Sequence, residues 1–345
     1  LSFQWFCFGS SDDYTSAFGN NFDGYTVIKD SQEYALSFGG ELTDETLQQI
    51  VSDYQQMEAD GMEEELEKTD WQIVNSWLGT LYPELRDTSN YKTMISYVDP
   101  DKLTGFYERR QQVLDEFLEV SGQVGAEKEY LHQIDGKVEK PFHYEWVEGW
   151  STLLGSMVAD LGVVMALFLG IVLSSLFAGE WHDNTSALVL TTRNGWGKIA
   201  LAKILTGLAF TVELFALLAV SNVISQLFFM GTAGWDMPIQ NIKLIAVAPM
   251  NMLQAEIYEY AFVLLGAIGF AGIVMFISAA VKNNVLALLL SLAVVYGPMM
   301  IAEYLPYGMQ KALDIIPLVG SSEPILFVFW GSLSGHHIYL LQFLS

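Results

Sequence analysis

The chain has 345 residues, 52% of them hydrophobic and only 16% charged, and carries a formal net charge of −24. A soluble domain ordinarily has about 25% charged residues, so this composition excludes an ordinary water-soluble protein, and the acidic balance leaves no basic surface for nucleic acid. The one cysteine, Cys7, excludes an intramolecular disulfide.

Charge is unevenly distributed. Residues 1–150 hold 30 Asp/Glu against 10 Lys/Arg, whereas residues 151–345 hold 10 against 6. Two physical regimes share the chain, and they meet near Trp150. The opening run Leu1–Phe8 is apolar but far shorter than the roughly 20 residues needed to cross about 30 Å of hydrocarbon. Residues 1–10 are read as the outer end of a first span that starts upstream, and residues 11–150 as an acidic domain outside the membrane.

Within that domain the pattern is helical. Leu42-Thr43-Asp44-Glu45 supplies capping residues for a segment with Leu47, Ile50, Val51, Tyr54 and Met57 at helical spacing. Glu63–Leu81 predicts a second helix, ended by Pro83. Asp99-Pro100 starts a third, with Leu103, Phe106, Tyr107, Val113, Phe117 and Leu118 recurring along one face. Residues 11–40 show no clear period.

From residue 151 the chain reads as a transmembrane domain, 151–345, with spans at 153–178, 204–230, 260–281 and 285–302. Each is apolar and long enough to span, and only a helix satisfies its backbone internally in lipid. Leu244–Ala255 is short and holds Pro249, so an interfacial or re-entrant piece is expected. Pro324–Ser345 is read as interfacial, leading to a last span downstream. Arg193, Lys198, Lys203 and Lys282 fall at one side of these spans, which predicts that this side is cytoplasmic and the acidic domain extracellular.

Two acids lie inside spans, where a charge costs roughly 2.5–3.5 kcal/mol on insertion scales and so tends to face protein or water. Glu213 and Asp160 are therefore candidates for lining a translocation path. Glu256, Glu259 and Glu303 are expected as rim residues at the outer face. Thr192–Ile199 imitates a phosphate-binding loop, but lacks Gly at position 192 and Ser/Thr at position 199. No Ser/His/Asp, Cys/His or zinc-spaced set is present. The chain is accordingly not expected to be an enzyme, and no cofactor, metal or catalytic residue is assigned to it.

The loop 179–203 carries the most specific signal. It runs from Phe177-Ala178-Gly179-Glu180 through Asn184-Thr185 and Leu188-Val189-Leu190 to Arg193 and Lys203. This arrangement resembles the first cytoplasmic loop of type-two ABC exporter permeases, with Asn184 where that family usually has Gly. Acidic domain and span order are similar to permeases of this family from Gram-positive bacteria.

The resemblance implies an all-α polytopic membrane protein with the type-two ABC exporter transmembrane fold. A large, mainly helical extracytoplasmic domain would lie between the first and second spans. It also implies that Glu180, Thr185, Leu188, Val189, Leu190, Arg193 and Lys203 form a coupling segment docking on a separate nucleotide-binding ATPase subunit. ATP and Mg would be held by that partner. A second permease subunit, identical or different, and membrane lipid would complete the assembly in the cell membrane. The implied activity is export of an amphipathic or hydrophobic substrate such as an antimicrobial peptide, drug or lipid. The alternative is a non-transporting membrane sensor that relays binding of an extracellular ligand to an ATPase.

Overall fold

A computed structural model of the chain describes residues 39–62, 71–87, 92–120, 125–182, 185, 191, 195–301, 304, 330–333 and 336–339. The expected first-span end at 1–10, the rim residue Glu303 and the start of the second predicted helix at Glu63 lie outside these residues. The chain divides into an acidic unit, residues 1–151, 226–255 and 326–345, and a span unit, residues 152–225 and 256–325.

In the acidic unit, strand β1 (Gly40–Leu42) precedes helix α1 (Asp44–Ala59), where Thr43 accepts a hydrogen bond from the Thr46 amide at 3.2 Å. Such an N-cap satisfies one of the donors that every helix start leaves open. Helix α2 (Trp71–Leu81) follows and gives way to a short 3-10 turn at Pro83. The third predicted helix does not start at Pro100. That proline opens a single 3-10 turn, and helix α3 begins at Phe106. Gly105 separates the two at φ 72°, a conformation glycine adopts without a Cβ clash. The amides of Gly105 and Phe106 donate to the Asp44 carboxylate at 2.7 and 2.9 Å, so an acid on α1 caps α3 (Phe106–Val120).

Helix α4 (Ala126–Asp135) and strand β2 (Phe142–Tyr144) complete the sequential part. β1 and β2 pair antiparallel, Gly40 opposite Tyr144 and Leu42 opposite Phe142. The Tyr107 hydroxyl donates to the Leu42 carbonyl at 2.7 Å and accepts from the Phe142 amide at 2.6 Å, which ties both strands to α3. A second antiparallel pair joins β3 (Trp330–Leu333) to β4 (His336–Tyr339). The expectation of an all-α protein thus holds only as mostly helical. The core of the unit packs Leu47, Trp77, Leu78, Tyr82, Phe106 and Phe142.

The segment expected to be interfacial or re-entrant, Leu244–Ala255, belongs to the acidic unit instead. Its residues Leu244, Ala246, Val247 and Ala248 are buried there. Arg110, wholly buried on α3, donates to the carbonyls of Leu244 (2.7 Å) and Ala246 (2.9 Å). The same guanidinium grips both oxygens of Asp135 at 2.6 and 3.1 Å. Trp77 donates to Asn241 O at 3.1 Å, and Asn241 donates to His143 O at 2.9 Å. The segment is apolar because it fills a protein interior, and its irregular backbone is tolerated because side chains bond its carbonyls.

In the span unit and its extensions, helix α5 (Glu148–Thr152) runs through a π-helical turn, Leu153–Met157, into α6 (Val158–Leu173) and then α7 (Ser175–His182). A second π-helical turn, Gly195–Ile199, leads into α8 (Ala200–Met230). Helix α9 (Met252–Ala280) and α10 (Asn284–Ile301) follow. Among the described residues three helical stretches, Glu148–Trp181, Gly197–Met230 and Met252–Ala280, are long and apolar enough to cross a membrane. The third starts eight residues before the expected Tyr260.

The stretch 285–302, expected as a fourth span, is described as far as Ile301 and lies in α10, with Pro298 inside the helix. The 18 residues of α10 rise about 27 Å at 1.5 Å per residue, close to the roughly 30 Å of hydrocarbon. The span core joins α6, α8, α9 and α10 through Leu161, Leu169, Leu208, Ala267, Phe270 and Val295. Close approach relies on glycine. A Cβ on Gly207 would lie 2.7 Å from Met275 Sδ, and one on Gly170 would lie 3.0 Å from Leu292 Cδ2.

Candidate functional site

The ends of α7, α8 and α9 bring most of the predicted coupling residues that the structure describes into one place. Glu180, on the last turn of α7, and Lys203, on the first turn of α8, are 23 positions apart in the chain but pair at 2.6 Å. Lys203 is fixed further: its ammonium donates to the Leu176 carbonyl at 2.5 Å and stands 5.0 Å from the Phe177 ring centroid. Lys203 thus binds a carboxylate on the last turn of α7 and a backbone carbonyl on its first turn.

Thr185 folds back on the same turn. Its amide and hydroxyl both donate to the Glu180 carbonyl, at 2.9 and 3.4 Å. The loop between α7 and α8 is therefore closed at its neck by an ion pair and shaped at its start by a backbone turn. Leu188, Val189, Leu190 and Arg193 lie outside the described residues. Lys198 is exposed on the turn that leads into α8.

Lys282, in the turn after α9, places its ammonium 4.2 Å from the ring centroid of Trp181 on α7. This contact was not expected from the sequence; only the clustering of bases at alternate span ends hinted at it. The Asn283 side chain accepts from the amides of Val285 and Leu286 at 2.9 and 3.1 Å, which caps α10 and makes the turn from α9 tight. Lys203 and Lys282 thus both contact α7, giving the span unit one basic end.

The two expected path residues are not brought together. Asp160 is exposed on the first turn of α6, and Glu213 is exposed on α8, close to the middle of the Gly197–Met230 stretch. Among the described residues neither forms an ion pair. Glu256 and Glu259, expected as rim residues at the outer face, are 3% and 4% exposed, within the first turns of α9.

Among the described residues no group of three His, Cys, Asp or Glu side chains is placed to hold a metal ion. Gly195–Ile199, part of the phosphate-loop imitation, is a π-helical turn.

No family model matches this chain, and no curated protein or solved structure shows significant similarity to it.

Proposed function

We propose that the chain is the permease subunit of an ATP-driven exporter, and that the loop between α7 and α8 docks on a separate ATPase subunit. The reading is supported foremost by the Glu180–Lys203 pair. A loop that must transmit force between a partner and two spans needs a rigid base, and an ion pair with a backbone anchor across its neck supplies one. The apolar ridge Leu188-Val189-Leu190 then offers a short hydrophobic surface to a groove on the partner. The basic end built from Lys198, Lys203 and Lys282 is cytoplasmic in this reading, and the acidic unit faces outward.

ATP and Mg belong to the partner, because the chain's nearest phosphate-loop imitation has Thr192 and Ile199 at the two decisive positions. Two such permeases, identical or different, would enclose a path. Glu213 and Asp160, exposed acids on spans, are the groups proposed to line it. Apolar spans with so few polar groups suit an amphipathic or lipid-like cargo. Replacing Val189 by Asp places a charge on the docking ridge, where burial without a partner is costly. The expected result is loss of co-purification with the ATPase while the permease still inserts; normal partner binding and normal ATPase stimulation would overturn the assignment.

A transducer that does not transport is the second reading. It draws on the burial of residues 244–248 in the acidic unit, because this connection between α8 and α9 gives a ligand-binding domain a covalent lever on two spans. Reconstitution with the ATPase separates the two readings. Ligand-stimulated hydrolysis with movement of labelled ligand supports export, and stimulation without movement supports transduction.

A further inference from the structure

Helix α9 opens on a capped turn and then buries two acids. The Asn251 side chain accepts from the Gln254 amide at 2.8 Å, and the Asn251 amide donates to the Gln254 side chain at 3.2 Å, a reciprocal pair that fixes the helix start. Met252, Ala255, Glu256, Glu259, Tyr260 and Val263 then form one buried face. Glu256 and Glu259 are three positions apart, and Tyr260 is four beyond Glu256. Side chains at these spacings are neighbours on a helix, with Cβ atoms about 5–6 Å apart.

The surroundings of these three residues are apolar. Tyr260 belongs to the span core with Leu161, Met165 and Val263, and its ring stands 6.1 Å from that of Phe215 on α8, centroid to centroid. Two described bases of the span unit are engaged elsewhere: Lys203 pairs with Glu180, and Lys282, beyond the far end of α9, lies over Trp181. Neither oxygen of Glu256 has a hydrogen-bond partner among the described residues, and neither has the Tyr260 hydroxyl, which the charges of Glu256 and Glu259 both reach.

A carboxylate taken out of water without a partner is costly, and either a proton or a cation removes that cost. A proton answers one carboxyl at a time. A divalent cation neutralises two carboxylates together and also accepts a phenol oxygen as ligand. The donors here are oxygens alone, which suits a hard cation and not zinc or copper. Calcium takes roughly six to eight oxygens in irregular geometry, binds carboxylates through one or both oxygens and completes its shell with water, whereas magnesium demands a near-ideal octahedron. We propose that Glu256, Glu259 and Tyr260 form a calcium site on the first turns of α9. Two acids and a phenol make a sparse set, so its affinity is modest. In the orientation proposed above, this end of α9 faces outward, towards the medium that supplies the ion; the site itself stands without the permease reading.

The test uses the whole chain in nanodiscs, stripped with EDTA and dialysed against radiolabelled calcium in roughly 0.15 M KCl, where binding by exposed acids is screened. Wild type is expected to bind one calcium ion per chain with a dissociation constant on the order of 10⁻⁴ M, and an equal concentration of magnesium is expected not to displace it. Glu256→Gln and Glu259→Gln keep the side-chain shape and each removes one charge, so each is expected to weaken the site about ten-fold or more. Tyr260→Phe removes one neutral oxygen and is expected to weaken it by a smaller factor. Glu45→Gln, at an exposed acid of α1, is expected to leave the affinity unchanged. Should Glu256→Gln fail to insert, Glu259→Gln decides. The absence of such a site in wild type overturns the proposal, as does unchanged affinity in either glutamine variant or equal displacement by magnesium. No ATPase takes part, so the Val189→Asp test of docking is untouched, and failure of the calcium site and failure of the permease reading are told apart.

Discussion

In the acidic unit Arg110 and Asp135 are 0% and 2% exposed, and the guanidinium meets two carboxylate oxygens and two backbone carbonyls. In the span unit Glu213 and Asp160 stand exposed, while Leu201, Leu205, Leu217, Val220 and Ile224 are exposed along α8, the helix of Glu213. Each pattern would be a defect in the other unit's solvent. In water, a buried charge survives only if paired and hydrogen-bonded, and a long apolar stripe promotes aggregation. In lipid, leucine is the natural surface, and an exposed mid-span acid marks a face meant for protein or water. Within the chain only 11% of the most apolar part of α8 is buried, against 50% and 39% for the other two candidate spans. The acid on α8 is thus the one most dependent on something outside this chain.

The largest test of that contrast is Arg110→Leu. It leaves Asp135 buried without its main partner and opens the carbonyls of Leu244 and Ala246, so a loss of about 3–5 kcal/mol is expected. Hydrogen exchange of the acidic unit in the full chain reads it: protection should fall throughout α3, α4 and residues 239–248. A change confined to the span helices would contradict the assignment of Leu244–Ala255 to this unit.

The span unit is expected to be most sensitive at its glycine contacts rather than at a charge. Gly207→Leu forces a side chain against Met275, Leu173 and Leu176, and overpacking of this kind costs about 1–3 kcal/mol. Thermal loss of monodisperse, detergent-solubilised protein measures it. Tolerance of leucine would show that α8 is not held against α9 at this point.

Alkaline titration probes the acidic unit. Burial, followed by the nearby Asp44 charge, pushes the Tyr82 phenol up to about 12, and burial raises Tyr107 in the same direction. The fold favours the neutral phenol, so its contribution is complete below the ordinary tyrosine range near 10 and is lost as pH rises from there toward 12. Tyr82→Phe should therefore flatten the fall in stability over this window without abolishing it, since Tyr107 remains. An unchanged slope in unfolding measured against pH would show that Tyr82 ionises as readily in the fold as outside it.

The smallest effect on folding is expected at Glu213. As an exposed side chain of the single chain, it should change stability by no more than about 0.5 kcal/mol when replaced by Gln. Transport is where the substitution should show, as altered rate or pH dependence at matched expression. Wild-type transport in both Glu213→Gln and Glu213→Leu would remove Glu213 from the proposed path.

Amino-acid pattern alone carried a good part of this structure. The charge step near Trp150, the capped helix from Asp44 and the long apolar stretches follow from local chemistry, because capping, helical period and the thickness of a bilayer act on contiguous residues. So does the nearness of Glu180 and Lys203 to helix ends, although their pairing across 23 positions required the fold. Tertiary structure alone decided where Leu244–Ala255 goes, since an apolar segment of that length looks the same whether lipid, an interface or a protein core awaits it. It also decided that Glu256 and Glu259 are buried, because burial is set by neighbours on other helices and not by a residue's own surroundings in the chain. The contact of α7 with Ser278 belongs to the same class. Nothing within α6 and α7 announces it beyond two serines, and the hydroxyl that accepts from the Phe177 and Ala178 amides comes from Ser278, about a hundred residues away in the chain. Local forces choose helices; only the partners that arrive from elsewhere decide where a helix stops, bends or takes a charge out of water.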